Sequence, residues 1–155
     1  MKVEFEYLVD KQDQIPQVIQ WWRSAWGDRM NDDDLVIAKE FSKSLGKTEL
    51  PIDILAMVDG KAVGSAALKN QELIEVYPQY QSWLGSVFVD EAYRGQNIAS
   101  QLSLRVVDMA RERGLRQLYL QTQNLSGGIY KKLGWQEVER FNYFDEDGLL
   151  MVMTL

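Results

Sequence analysis

The chain predicts an α/β fold, a mixed sheet with helices packed on it, and three observations carry that expectation. Segments patterned as strands and helices follow in the order strand, two helices, three strands, helix, strand, helix, two strands. The 155 residues suffice for one substantial core, with the 46% hydrophobic and 26% charged content of ordinary globular chains. Neither an internal repeat nor a low-complexity segment interrupts the pattern, so one domain over residues 1–155 is expected.

Met1-Lys2-Val3-Glu4-Phe5-Glu6 alternates polar and apolar residues, and Lys2 to Val9 reads as a first strand rather than a secretion signal. Ile15-Pro16, then Val18, Ile19, Trp22 and Trp26, reads as a helix with proline in its first turn. Asn31-Asp32-Asp33-Asp34 places acids at the start of a helix over Leu35 to Leu45, which Gly46 ends. No calcium-loop spacing surrounds those acids, and no metal is expected. Pro51 to Val58 and Lys61 to Leu68 form a hairpin, because Asp59-Gly60 suits the positive backbone angles of a tight turn. Trp83 to Val89 supplies another strand. Ile98, Leu102, Val106, Met109 and Ala110 form the apolar stripe of a helix that Gly114 stops. Gln117 to Thr122 is a strand and Gly127 to Leu133 a short helix ended by Gly134. Trp135 to Phe144 and Leu149 to Leu155 close the chain as a hairpin around Asp145-Glu146-Asp147-Gly148.

Composition excludes several chemistries. With no cysteine and no histidine, the chain has no disulfide, thiol nucleophile, Cys/His zinc site or histidine general base. A formal charge of -6 argues against nucleic acid as a partner; it either draws cationic amines or serves solubility alone. No apolar run approaches the roughly 18 residues that cross a bilayer, so no membrane partner and a cytoplasmic location are expected. Gly46-Lys47-Thr48 resembles the end of a P-loop, but Phe41 stands where the first glycine belongs.

Val87-Phe88-Val89-Asp90-Glu91-Ala92-Tyr93-Arg94-Gly95-Gln96-Asn97-Ile98-Ala99 carries the strongest chemical signal. An apolar strand breaks into a polar turn and opens a helix, whose first N–H groups and dipole favour an anion. Arg94 adds a cation and Gly95 room for close approach.

This turn resembles the pyrophosphate-binding signature of the GNAT superfamily of N-acetyltransferases, Arg/Gln-x-x-Gly-x-Gly/Ala, read from Arg94 through Asn97 to Ala99. Asn97 departs from it by standing at the usual glycine. The order of elements from Leu50 to Leu155 is similar to the family's, as is Gly128-Ile129-Tyr130-Lys131-Lys132-Leu133-Gly134-Trp135 to its Phe-Tyr-x-x-x-Gly-Phe pattern. The resemblance implies a single-domain fold with a mixed, mostly antiparallel sheet of about six to seven strands, splayed at its centre and flanked by about four helices.

It further implies acetyl-CoA as the acyl donor. The main chain of Val87, Phe88 and Val89 would bond the pantetheine arm as an added strand. Arg94, Gly95, Gln96, Asn97, Ile98, Ala99 and Ser100 would hold the pyrophosphate. Asn124 would either bond the CoA arm or serve as a turn residue. Tyr130 would protonate the departing thiolate, or else only pack against the ligand. Amine acetylation also needs a base, and Trp83 stands where some family members place a strand glutamate. Glu72 and Glu75 are the nearest alternatives, and the Leu155 carboxylate a more distant one; both glutamates also read as solvated loop acids. Tyr77, Tyr80 and Trp83 either wall an acceptor pocket or pack over the sheet edge, and Trp21, Trp22 and Trp26 admit the same two readings. The expected activity is direct transfer of acetyl to a primary amine of a small molecule, with Glu72, Glu75, Tyr80 and Trp83 facing the acceptor. A protein N-terminus or lysine, a CoA-binding module without turnover, and an interaction domain are the alternatives. A homodimer is compatible with the resemblance.

Overall fold

The computed structural model describes residues 1–27 and 33–155. Seven strands form one sheet in the order β1-β2-β3-β4-β5-β7-β6. They are β1 (Glu4–Tyr7), β2 (Ile52–Val58), β3 (Lys61–Lys69), β4 (Trp83–Val89), β5 (Gln117–Thr122), β6 (Gln136–Tyr143) and β7 (Glu146–Thr154). Helices α1 (Ile15–Trp26) and α2 (Asp34–Ser44) precede β2, α3 (Ile98–Glu112) joins β4 to β5, and α4 (Gly128–Lys132) follows β5. Among these helices none is long and apolar enough to cross a membrane.

All neighbouring strands pair antiparallel except β4 and β5, which the α3 crossover makes parallel. The sheet therefore presents two faces built from alternating residues. Ile52, Ile54, Ala56 and Val58 of β2 join Ile98, Leu102 and Val106 of α3 in one core. Leu55 and Met57, pointing the other way, pack with Val18, Ile19 and Trp21 of α1. Beyond β4, on the same face as α1, residues 70–82 cover a third cluster of Leu73, Tyr77, Trp83, Tyr119 and Leu150.

Local deviations from the sequence expectations have physical causes. The first strand ends at Tyr7, and Leu8–Gln14 coils as a 3-10 helix that drives Leu8 to 0% exposure beneath α1. In α2 the Asp33 carboxylate accepts from the Val36 N–H at 3.0 Å, as the run of acids predicts; Asn31 and Asp32 of that run lie outside the described residues. The closing hairpin turns earlier than expected. Phe144 and Asp145, at φ 53° and 60°, make a two-residue turn with Tyr143 paired to Glu146, so Asp145 to Gly148 is not the loop. Gly148 instead sits inside β7 opposite Phe141, whose ring leaves no space for a Cβ.

The central strand carries the irregularity that matters most. Ala67 pairs with Gly85 and Ser65 with Phe88, so Ser86 and Val87 together oppose Ala66 alone. Ser86 takes φ 55° to accommodate this bulge, and the Ser65 hydroxyl donates to the Ser86 carbonyl at 3.1 Å. On the other side β4 and β5 pair only at Trp83 and Tyr119. Past that point the two strands part, and the parallel sheet opens.

Gly64 fixes how closely α3 lies on the sheet. A Cβ there would stand 2.8 Å from the Phe88 carbonyl oxygen and 3.1 Å from Leu102 Cδ1. Gly64→Ala should destabilise the fold by about 1–3 kcal/mol, since backbone must move to admit the methyl. Gly27→Ala, where a Cβ meets nothing within 4 Å, should leave urea stability unchanged by comparison.

Candidate active site

The parting of β4 from β5 opens two adjoining cavities. One, of about 440 Å³, runs along Val87, Phe88 and Val89 to the turn at Arg94 and the start of α3. The other, of about 650 Å³, lies between the ends of β4 and β5 under Trp22 and Trp26 of α1. Val87 and Tyr130 line both, so the phenol stands where the two cavities meet.

The first cavity ends in an anion cradle. Asp90 accepts from the Ala92 N–H at 3.0 Å and starts a short 3-10 turn over Glu91–Tyr93. Arg94 follows, its Nε–H bonded to the Val89 carbonyl at 3.0 Å and its guanidinium 5.2 Å from the centre of the Phe88 ring. The Phe88 ring in turn stacks on Trp21 at 5.8 Å, which ties the cradle to α1. Among the described residues the two Nη groups of Arg94 have no partner.

Asn97 occupies the left-handed region at φ 64° and ψ 18°. This is the conformation that the usual glycine adopts freely and that asparagine adopts at less cost than other residues with side chains. Its side chain makes no capping hydrogen bond to α3. The N–H groups of Ile98, Ala99 and Ser100 therefore precede the first helical bond, Gln101 N–H to Asn97 carbonyl at 3.1 Å, without a cap to satisfy them. A diphosphate fits this cradle by charge and by hydrogen bonding. The predicted residues Val87, Phe88, Val89, Arg94, Gly95, Asn97, Ile98, Ala99 and Ser100 all line this cavity; Gln96 is exposed on the turn and lines neither.

Tyr130 stands on α4, edge-on to Trp135 with ring centres 6.3 Å apart. Burial raises its pKa above the ordinary 10.0, and a side-chain hydrogen bond with Ser103 opposes the shift. The hydroxyl is thus protonated at neutral pH, able to give a proton and unsuited to take one. Asn124 lines the second cavity, but its Oδ1 already accepts from the N–H and hydroxyl of Ser126 at 3.1 and 2.7 Å. The turn role read from sequence is met; only the amide nitrogen is left for another partner.

The second cavity contains the acid that the sequence left ambiguous. Gln71 clamps the loop after β3: its Nε2 donates to the Tyr77 and Tyr80 carbonyls at 3.1 and 2.9 Å, and its Oε1 accepts from the N–H groups of Glu72 and Leu73 at 2.8 and 2.9 Å. Glu72 is thereby laid across Gly85 of β4, where a Cβ would stand 2.8 Å from the Glu72 Cδ. Lys69 pairs with it, Nζ to Oε2 3.2 Å. Glu75 lies elsewhere, accepting from the Tyr143 hydroxyl at 2.9 Å, and lines neither cavity.

The aromatic residues divide in the same way. Trp83 is 0% exposed, with its indole N–H bonded to the Tyr80 carbonyl at 2.8 Å. Tyr80 stacks on Tyr119 at 4.5 Å and on Tyr77 at 5.7 Å. These rings pack over the sheet and line neither cavity, so the structure gives them the packing role that the sequence left open. Trp22 and Trp26 wall the second cavity instead.

Sequence reasoning passed over Lys69 and Asp53. Asp53 is 5% exposed in β2, the one charge in the run Ile52-Asp53-Ile54-Leu55-Ala56-Met57-Val58, and that isolation was its legible signal. Burial pushes its carboxyl from 3.8 up to about 6; the Lys69 ammonium works against this and the Glu72 carboxylate adds to it.

Comparison with known proteins shows the family and the fold. The family model described as acetyltransferase (GNAT) family matches residues 15–135. An uncharacterized N-acetyltransferase of Methanocaldococcus jannaschii is 29% identical over 106 residues, which is 66% of this chain and 46% of that protein. The chain thus spans about half the length of that curated relative. Among solved structures, the fold is similar to an aminoglycoside 6'-acetyltransferase type Ii, with a TM-score of 0.74 at 20% identity, covering 99% of this chain and 97% of the other. It is also similar to a ribosomal-protein-alanine N-acetyltransferase from Brucella melitensis, with a TM-score of 0.76 at 18% identity over 100% of both chains.

The buried Asp53 sets a pH dependence. Its folded pKa of about 6 lies above the unfolded 3.8, so the folded state holds the proton more tightly, and this contribution to stability is lost as pH rises through 6. Asp53→Asn should match the parent in urea denaturation at about pH 4 and exceed it by about 2–3 kcal/mol at pH 8.

Proposed function

The chain belongs to the GNAT family of acetyltransferases, and on that premise we propose that it moves acetyl from acetyl-CoA directly to a primary amine of a small molecule. The observation that carries this reading is the meeting of two unlike cavities at Tyr130, one ending in an anion cradle and the other holding a carboxylate. The strand edge at Val87, Phe88 and Val89 takes the pantetheine arm, and Arg94 with the first N–H groups of α3 holds the pyrophosphate. Asn97 supplies the left-handed turn that a glycine would supply, which supports a functional cradle despite the departure from the signature.

Glu72 takes a proton from the acceptor's ammonium, and the neutral nitrogen attacks the thioester carbonyl. As the C–N bond forms and the C–S bond breaks, the Tyr130 hydroxyl protonates the departing sulfur. The second proton of the nitrogen returns to the tyrosine, and Glu72 later releases its proton to solvent. Holding donor and acceptor together in adjoining cavities supplies much of the rate. A second cavity of about 650 Å³ with indole walls suits a small amine better than a folded protein chain.

Calorimetric titration with acetyl-CoA, with ATP as the anionic control, tests the cradle. Arg94→Glu should weaken acetyl-CoA by at least about tenfold, whereas Asn97→Gly should bind as well as the parent or better. Undiminished acetyl-CoA binding in Arg94→Glu would remove the cradle from the site. Turnover on a panel of alkylamines, polyamines, aminoglycosides and peptides, read by thiol release, tests the rest. Tyr130→Phe should lower kcat by about a hundredfold with little change in the KM for acetyl-CoA. Equal turnover would leave Tyr130 as packing alone.

A further inference from the structure

Asp53 is a carboxylate with 5% exposure that forms no hydrogen bond or ion pair among the described residues. Such a group is costly to bury, and the charges acting on it are Lys69 and Glu72. The sheet register explains the proximity. Asp53 pairs with Ala67, so Lys69 stands two residues further along β3 on the same face, the diagonal distance that a long side chain spans. Lys69 in turn pairs with Glu72 at the wall of the second cavity, the two side chains 26% and 19% exposed. One ammonium thus stands near two carboxylates, paired with Glu72 at the cavity wall and outside ion-pair distance of Asp53 behind it. The cluster is a single positive charge short of neutrality.

We propose that Lys69 is a built-in stand-in for the acceptor's ammonium, holding Glu72 until a cationic amine enters and then passing to Asp53. The inference rests on the reading of the second cavity as the acceptor site. The incoming ammonium pairs with Glu72 over Gly85, under the indoles of Trp22 and Trp26. Lys69 turns inward to Asp53, and two carboxylates then face two cations. No covalent bond changes, and Asp53 acts as a positioning residue through Lys69. The arrangement selects for amines that arrive charged, because a neutral ligand of the same shape gives Lys69 no reason to leave Glu72.

The test is NMR titration of the purified protein with n-butylammonium and with 1-butanol, following the indole N–H signals of Trp22 and Trp26, while calorimetry with acetyl-CoA runs on each variant. Lys69→Met removes the stand-in and should bind n-butylammonium about fivefold more tightly than the parent. Asp53→Asn removes the alternative seat and should bind it about fivefold more weakly; Glu72→Gln should lose most binding. Should Lys69→Met fail to fold with two uncompensated carboxylates, the double variant Lys69→Met/Asp53→Asn serves, and it should bind more tightly than Asp53→Asn alone. Binding of 1-butanol should be the same throughout. Weaker or unchanged n-butylammonium binding in both variants that lack Lys69, parent-like binding in Asp53→Asn, or no binding to the parent would overturn the proposal. With acetyl-CoA still bound, such a result removes the stand-in and spares the acetyltransferase reading. Loss of acetyl-CoA binding in the parent strikes at that reading itself.

Discussion

The site depends on one interruption in an otherwise continuous sheet. Two parallel strands normally run on in register once paired, yet β4 and β5 share only Trp83 and Tyr119. The bulge at Ser86 and Val87 re-aims β4 while β3 keeps it paired on the other side, so the sheet opens without losing its centre. Backbone donors and acceptors that a neighbouring strand would have satisfied are left facing a cleft. Fixed dipoles of this kind cost no rearrangement when a ligand arrives, which is how a sheet edge can act as a binding surface.

The opening is held in shape from both ends. At one end the amide of Gln71 uses both of its atoms to fold residues 70–82 onto the sheet, and the stacked rings of Tyr77, Tyr80 and Tyr119 seal the last paired position. At the other end the Phe88 ring lies between Trp21 of α1 and the Arg94 guanidinium. The same side chain thus positions the helix that covers one cavity and the cation that ends the other.

Much of this was legible in the sequence, because the signals were local. The hairpin at Asp59-Gly60, the stripe of α3 and the turn through Arg94 each depend on residues close in the chain, and each occurs where the pattern places it. The final hairpin misled because Asp145-Glu146-Asp147-Gly148 has turn composition, while the actual turn uses Phe144, a residue whose left-handed backbone no propensity favours. The aromatic residues around Pro78 and those of α1 were indistinguishable in sequence. Which set walls a cavity depends on how residues 70–82 and α1 settle on the same face of the sheet, and that is decided by packing between distant segments. Asp53 and Lys69 were overlooked for a related reason: their meaning comes from strand register, which joins residues far apart in the chain.

Gly85 decides whether an acid carried by a loop can rest on β4. The Glu72 side chain occupies the space where a Cβ on that strand position would lie. The atoms in the way belong to the Glu72 and Lys69 side chains rather than to backbone, so a larger residue there would push the carboxylate aside and leave the strand in place. The glycine thus governs where the acid sits, while the pairing of the sheet does not depend on it.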